Sequence, residues 1–325
     1  MGYRYSIIVT EAPYFSESMQ EILKEAEAEL KLAPCTTASE VISQASEAEV
    51  IITTKADFSR PVIERLQRCR FILRCGIGMD NFDIKAATER GILIANLPDW
   101  YVEDVSIHIM AFILDSSRKI TLIDRLVRSG RYSLDKIQPV RQLKNRVLGF
   151  VGFGKNARCL LPKLHAFNFR ILVYDPYASK LPQDMESVDL HILLNRADFV
   201  VISCPLTEET KGMIGEHELK LMKPGAYIIN SARGAIVDED ALIHALQQKR
   251  IAGVATDVLT REPVTSDHPL LQFDNVIITP HIAWYSEEAL EEARLKAAED
   301  VVRFLKGGLP GHPLNPEVLS SAGKP

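Results

Sequence analysis

Arg233, Glu262 and His281 stand far apart in the chain, in the stretches Asn230-Ser231-Ala232-Arg233-Gly234, Arg261-Glu262-Pro263 and Thr279-Pro280-His281. An imidazole gives or takes a proton near neutral pH. A carboxylate bonded to it fixes the tautomer and favours the charged acid form. A guanidinium grips a carboxylate with a planar two-pronged fork. Taken singly, His281 reads as an ordinary strand-end histidine, and Glu262 and Arg233 as surface charges, as most residues of their types are. The seven other histidines, His108 and His217 among them, have no comparable context. Together the three supply what reduction of a small 2-oxo acid by hydride requires. That is an acid for the forming alkoxide and a cation for the substrate carboxylate, beside a redox cofactor kept dry.

A place for such a cofactor lies upstream, in Val147-Leu-Gly-Phe-Val-Gly-Phe-Gly-Lys-Asn-Ala157. Gly152-x-Gly154-x-x-Ala157 is expected to follow a strand and open a helix, the context in which this spacing binds a dinucleotide. Gly152 permits the sharp turn, Gly154 lets the backbone approach a pyrophosphate, and Ala157 keeps the helix close to the strand. The helix start, with Lys155 and Asn156, supplies amide donors and the positive end of the dipole. Asp175 falls 18 residues past Ala157, at the expected end of the next strand. An acidic residue there binds the adenosine ribose hydroxyls, although a turn carboxylate before Pro176 is the alternative. A carboxylate repels a 2′-phosphate and Pro176-Tyr177 offers no cation, so NAD is expected over NADP, with Lys180 the nearby charge that bears on this choice. Cys204-Pro205-Leu206 ends a further strand, either lying against adenine or simply terminating the strand.

The elements that must position these residues follow from periodicity. In the first hundred residues, β-branched runs at Ile7–Val9, Val50–Thr53, Phe71–Leu73 and Ile92–Ala95 alternate with helical patterns around Ser16–Leu30 and Ile84–Arg90, as βαβ units do. Pro98-Asp99 breaks the pattern, with Asp99 the expected cap of a helix from Tyr101 to Arg118. That helix is apolar nearly all round and is therefore expected to be buried between domains or subunits. A second series has strands at Val147–Val151, Ile171–Tyr174, Phe199–Ser203, Ala226–Asn230, Gly253–Asp257 and Val276–Thr279, the six of a dinucleotide-binding sheet. A last helix starts at the cap Ser286, buries Leu290, Ala293, Ala297, Val301 and Phe304, and ends before Gly307-Gly308. The Gly- and Pro-rich tail beyond it is a wrapping or frayed end.

Bulk properties narrow the class. A chain of 325 residues suits two domains of roughly 150 residues each. Its 46% apolar and 25% charged content is that of a soluble globular protein. A net charge of −5 argues against a nucleic-acid partner, which would require a basic face. No apolar run reaches the roughly 18 residues that span a bilayer, and the N-terminus has no signal-peptide pattern. The five cysteines are scattered, odd in number and without Cys-x-x-Cys. That pattern fits reduced thiols in a cytoplasmic enzyme with no zinc site.

Three stretches resemble the signature motifs of the D-isomer-specific 2-hydroxyacid dehydrogenase family: Asn230-Ser-Ala-Arg-Gly-Ala-Ile-Val-Asp-Glu239, Asp257-Val-Leu-Thr-Arg-Glu-Pro263 and Thr279-Pro-His-Ile-Ala-Trp284. The resemblance extends over most of the chain, from Arg74-Cys-Gly-Ile-Gly-Met-Asp-Asn81 to the last long helix. It implies an α/β fold of two doubly wound parallel-sheet domains, a Rossmann-type NAD domain and a flavodoxin-like substrate domain, with the active site in the cleft. Residues 1–98, completed by 287–325, would form the substrate domain and residues 99–286 the dinucleotide-binding domain. Arg233, Glu262 and His281 would be the catalytic set, and Asp257 would bind the nicotinamide carboxamide. Ser231 and Ala232 would line the cofactor, with Thr210, Ala283, Arg233 and His281 completing its contacts. The substrate carboxylate would meet the amides of Ile77 and Gly78, helped by Arg74, as well as Arg233 and His281. The helix after Pro98 would support a homodimer.

Trp284 with Tyr285 resembles the C-terminal-binding-protein branch of the family, where a tryptophan here lines the substrate pocket; core packing is the other reading. Phosphoglycerate dehydrogenases are close in pattern, although their long forms carry a further C-terminal domain, and Lys55 is the obvious phosphate partner at its strand exit. Asn156 replaces the β-branched residue usual in the family, without explanation. The reading is an NAD-dependent D-2-hydroxyacid dehydrogenase acting on a small 2-oxo or 2-hydroxy acid, of which glyoxylate, hydroxypyruvate, phosphohydroxypyruvate and bulkier acids stay open. The alternative is an NAD(H)-sensing, corepressor-like interaction protein. Formate oxidation is disfavoured by the charged Glu262, since that chemistry favours a neutral partner for its histidine.

Overall fold

The computed structural model describes residues 3–133, 137–178 and 180–321. The chain divides into two units, one of Met1–Tyr101 with Tyr285–Pro325 and one of Val102–Trp284. In the first, the β-branched runs form β1 (Tyr5–Val9), β2 (Ala28–Leu32), β3 (Val50–Thr53), β4 (Phe71–Arg74) and β5 (Leu93–Asn96). All pair in parallel in the order β2-β1-β3-β4-β5. This is the flavodoxin-like doubly wound order. Every residue of β3 and β5 is buried, as continuous apolar runs require when helices cover both faces. Those helices are α1 (Glu17–Leu23), α2 (Ala38–Ala45), α3 (Arg60–Ile63) and α4 (Ile84–Glu89).

The stretch 16–30, expected as one helix, is divided. Ser16 caps α1 through Met19 N, but the helix stops at Leu23, and Glu27 turns the chain at φ 54° into β2. The Gln20 side chain bonds both Leu30 N (2.8 Å) and Ala28 O (3.1 Å). Parallel pairing of 28–32 with β1 thus overrides a helical pattern.

The second unit opens with α5 (Val102–Arg118) and α6 (Ile120–Arg128). Asp99 lies three positions before α5 and pairs with His312 Nε2 at 3.6 Å. Within this chain α5 is not buried all round, since Ile107 is 52% exposed. The helix buries one face, including Val105, Ile109, Phe112 and Ile113, and packs within its own unit. There follow β6 (Val147–Val151), α7 (Lys155–His165), β7 (Arg170–Tyr174), β8 (Met185–Ser187), α8 (Leu190–Arg196), β9 (Phe199–Ile202), α9 (Glu216–Leu221), β10 (Tyr227–Asn230), α10 (Glu239–Gln247), β11 (Gly253–Thr256) and β12 (Val276–Ile278). The sheet has seven parallel strands in the order β12-β11-β10-β9-β6-β7-β8. The seventh, β8, escaped sequence reading because Met185-Glu-Ser187 is a short edge strand with no β-branched residue. Helix α5 packs on α7 and over β10 and β11.

The chain then returns to the first unit with α11 (Glu287–Leu305), capped by Ser286, and α12 (Glu317–Ser321). Leu290, Ala293, Ala297, Val301 and Phe304 are all buried, and α11 packs along α1. The described part of the tail is a wrapping segment. Pro313 bridges Ala95, and Leu314 N donates to Ile94 O at 2.8 Å. Asn315 is 1% exposed; its Oδ1 accepts from Ile94 N (2.7 Å), and its Nδ2 donates to Thr88 Oγ1 and Ile92 O (2.9 Å each). Replacing Asn315 by Ala leaves those buried groups unpaired and should cost about 1–3 kcal/mol, read as a lowered midpoint in denaturant unfolding of the full chain.

Candidate functional site

Pairing in the second sheet puts the strand ends in one line. Tyr174 lies opposite Val151, Val151 opposite Ile202, Ile202 opposite Asn230, Asn230 opposite Thr256 and Thr256 opposite Ile278. The residues next in sequence, Asp175, Gly152, Ser203, Ser231, Asp257 and Thr279, therefore emerge along one edge. Six strands at the usual 4.8 Å separation make a row about 24 Å long. Strand order reverses between β6 and β9, and ligands dock outside the carboxyl ends at such a switch point.

At the centre, Gly152 has φ 87°, and an added Cβ would lie 2.6 Å from the Cys204 amide nitrogen. Only glycine lets the turn after β6 lie against the exit of β9. Gly154 is the N-cap of α7, and a Cβ there meets nothing within 4 Å. Lys155 and Asn156 form the first turn behind it, and Ala157 is fully buried against the strand. Asp175 binds this turn, since its Oδ2 accepts from Phe153 N (2.8 Å) and its Oδ1 from Tyr177 N (2.9 Å). Burial pushes the Cys204 thiol up to about 11, which keeps it protonated. After Pro205, the Thr210 hydroxyl donates to Pro205 O (2.7 Å) and accepts from Thr207 N (2.8 Å), closing the loop.

Two observations fit a dinucleotide along this row. The N-terminus of α7, the positive end of the helix dipole, is open beside Gly154. The buried Ser231 Oγ has no hydrogen-bond partner among the described residues, a state that a native site reserves for a ligand or an ordered water.

The structure brings His281 and Glu262 together. His281 Nδ1 lies 2.6 Å from Glu262 Oε2, and Glu262 Oε1 accepts from Leu259 N at 3.0 Å. Both side chains are about one-third exposed, so the pair faces solvent rather than the core. His281 occupies the left-handed region at φ 54°, which non-glycine residues hold only when their surroundings compel it. Its amide donates to Asp257 O (2.8 Å) and Thr279 O (3.0 Å). The Asp257 carboxylate accepts from Ile282 N (2.9 Å) and Ala283 N (2.8 Å), and Trp284 Nε1 donates back to His281 O (2.9 Å). Trp284 thus braces the histidine loop, a role its sequence position did not disclose.

Arg233 follows β10 in extended conformation, with Nη1 on Ala232 O at 2.8 Å. Asn230 pins that loop by accepting from Ala232 N and donating to Arg233 O, both at 3.0 Å. Gly234 joins the arginine loop to the Glu262 loop, because a Cβ there would lie 2.1 Å from the Leu259 carbonyl carbon. Sequence reading passed over Gly234, whose requirement comes from a backbone 25 positions away.

In the first unit, Arg74 ends β4, and its Nη1 lies where a Gly76 Cβ would stand. Among the described residues the Ile77 and Gly78 amides make no hydrogen bond. Among them also, one trio is close enough to share a cation: His191, His217 and Glu218. Both histidines are exposed, and Glu218 already accepts from Gly215 N and pairs with His217 Nδ1, so the trio is an ordinary surface cluster.

The glycines should separate in mutagenesis. Gly234→Ala must displace backbone and should lose about 1–3 kcal/mol, whereas Gly154→Ala enters open space and should stay within about 0.5 kcal/mol of the parent, both by denaturant unfolding.

Comparison with known proteins accords with this geometry. Residues 110–283 match the model of the D-isomer specific 2-hydroxyacid dehydrogenase, NAD binding domain, and lie within the second unit. The chain is 34% identical over 292 residues to a glyoxylate reductase of Thermococcus litoralis, covering 87% of this chain and 88% of that one. It is 34% identical over 298 residues to a D-3-phosphoglycerate dehydrogenase of Archaeoglobus fulgidus, covering 90% of this chain but spanning only 56% of that relative's length. Among solved structures, D-lactate dehydrogenase from Aquifex aeolicus, complexed with NAD and lactic acid, has a TM-score of 0.85 at 28% identity, covering 95% of this chain and 99% of that one. On this evidence the chain belongs to the D-isomer-specific 2-hydroxyacid dehydrogenase family.

Proposed function

We propose that the protein is an NAD-dependent D-2-hydroxyacid dehydrogenase acting on small 2-oxo and 2-hydroxy acids. The observation that carries the reading is the His281–Glu262 pair at the carboxyl edge of the sheet. When bound, the nicotinamide supplies hydride to C2 of the 2-oxo acid, or takes it from the hydroxy acid. Glu262 holds Nδ1 of His281, so Nε2 is the nitrogen directed to substrate. In reduction Nε2 gives its proton to the alkoxide, and the ring returns to the neutral tautomer that Glu262 selects. The guanidinium of Arg233 orients the substrate carboxylate and carbonyl. Asp257 would meet the nicotinamide carboxamide, and Ser231 and Ala232 would line the cofactor. The paired imidazole and carboxylate favour an enzyme over an interaction protein that only senses NAD.

NAD is proposed over NADP, because the Asp175 carboxylate beside the glycine turn disfavours a 2′-phosphate. The first unit would be the substrate domain, with the unpartnered Ile77 and Gly78 amides as a nest for the substrate carboxylate and Arg74 adding charge. Trp284 would border the side chain of the acid. A cytoplasmic location is supported by five free thiols; among the described residues no helix is long and apolar enough to cross a membrane.

Replacing His281 with Gln keeps the size of the side chain but removes the acid, and kcat for 2-oxo-acid reduction with NADH should fall by about 10²–10⁴-fold. Activity near the parent level would overturn the assignment. A homodimer is also proposed, since α5 and α6 leave Ile107, Ile120 and Val127 exposed at 52%, 60% and 47%. The double variant Ile120→Glu/Val127→Glu should run as a monomer in light scattering where the parent runs as a dimer.

A further inference from the structure

Beneath the His281 loop lies a hydrogen-bonded chain of which the reaction as described uses only Asp257. Asp257 is 2% exposed, and its Oδ1 accepts from the Thr279 hydroxyl at 2.5 Å as well as from Ile282 N. On the far side of Thr279 stands His108, from the middle of α5, with Nε2 3.0 Å from the same hydroxyl. The separation of His108 Nε2 from Asp257 Oδ1 is 3.9 Å, so the threonine, not a direct ion pair, makes the link. The His108 ring is held edge-on by Phe112, at a centroid distance of 4.5 Å.

Counting protons gives the direction of this chain. An ionised carboxylate only accepts, and a hydroxyl has a single proton. The Thr279 proton is committed to Asp257, so the contact with His108 carries a proton from Nε2. Burial lowers the pKa of His108 below the ordinary imidazole value, against the opposing pull of Asp257. The ring is therefore neutral at neutral pH, with Nε2 protonated and Nδ1 bare. Hydrogen bonds in series polarise one another, and this series ends on the carboxylate that holds Ile282 N and Ala283 N. The carbonyl of the same residue takes the His281 amide. The left-handed turn at His281 thus hangs from one buried aspartate, oriented by donors from the segment that follows β12.

We propose that His108 is a positioning residue for His281, acting as a neutral Nε2–H donor through Thr279 and Asp257. The inference rests on the proposal that His281 is the proton donor, and deepens it. His108 touches no reacting atom; it sets where His281 stands.

The first test requires neither nucleotide nor turnover. In full-length protein with ¹⁵N-labelled histidine, the ring signals that disappear in His108→Gln identify His108. They should report the Nε2-protonated tautomer at neutral pH, and Thr279→Val should abolish that preference. An Nδ1-protonated or freely averaging ring in the parent would overturn the proposal.

The second test is kinetic. His108→Leu should lower kcat by about 10- to 100-fold, with KM for the 2-oxo acid changed by less than about threefold and a raised isotope effect from NADH deuterated at the transferred position. His108→Gln, whose side-chain amide can donate to Thr279, should restore kcat to within about threefold of the parent. If His108→Leu does not fold, His108→Gln and the tautomer measurement still decide. In a His281→Gln background, His108→Leu should cost nothing further. An equal loss in both backgrounds would overturn the positioning role, whereas an active His281→Gln single variant would overturn the proton-donor assignment and leave the tautomer result standing.

Discussion

In-register pairing of β6, β7 and β9–β12 is the constraint on which the rest of this site depends. Each strand exit carries one component: a glycine turn, a carboxylate that binds that turn, a cysteine-proline corner, an arginine loop, a buried aspartate and a histidine loop. A slip of one residue in any strand would turn its contribution to the opposite face of the sheet. Buried, β-branched strands specify register strongly, so the apolar core of this unit fixes the site as much as it stabilises the fold.

Glycine and aspartate then solve opposite problems at that edge. At Gly152 and Gly234 backbone approaches backbone so closely that a Cβ has no room. Asp257 does the reverse. It brings a buried negative charge that must be met by donors, and those donors are the amides and hydroxyl of the segment carrying His281. Those hydrogen bonds offset the cost of burial and fix the His281 loop, including its left-handed backbone conformation.

Much of this was legible in the sequence, and the omissions have physical causes. Gly152-x-Gly154-x-x-Ala157, Asp175 and the three motifs around Arg233, Glu262 and His281 are local signals, and local geometry follows from them. The strand β2 was hidden because 28–32 continues a helical pattern, and only pairing with β1 reveals it. His108 looked ordinary because its partner is 171 positions away. Trp284 left two readings open, pocket wall or packing; the structure adds a hydrogen bond to the His281 carbonyl. Long-range polar contacts leave no periodicity to detect, so the supporting shell of the site was less visible than its reactive groups.

The central claim is direct hydride transfer at the carboxyl edge of the second sheet, with a proton exchanged at His281. Its most direct test is to reduce a small 2-oxo acid with NADH deuterated at each face of the nicotinamide in turn, then analyse the product by chiral chromatography and mass spectrometry. The account predicts that one of the two cofactors delivers a single deuterium to C2 and that the product is the D-hydroxy acid. Product of the L-configuration, or no deuterium at C2 from either cofactor, would contradict it.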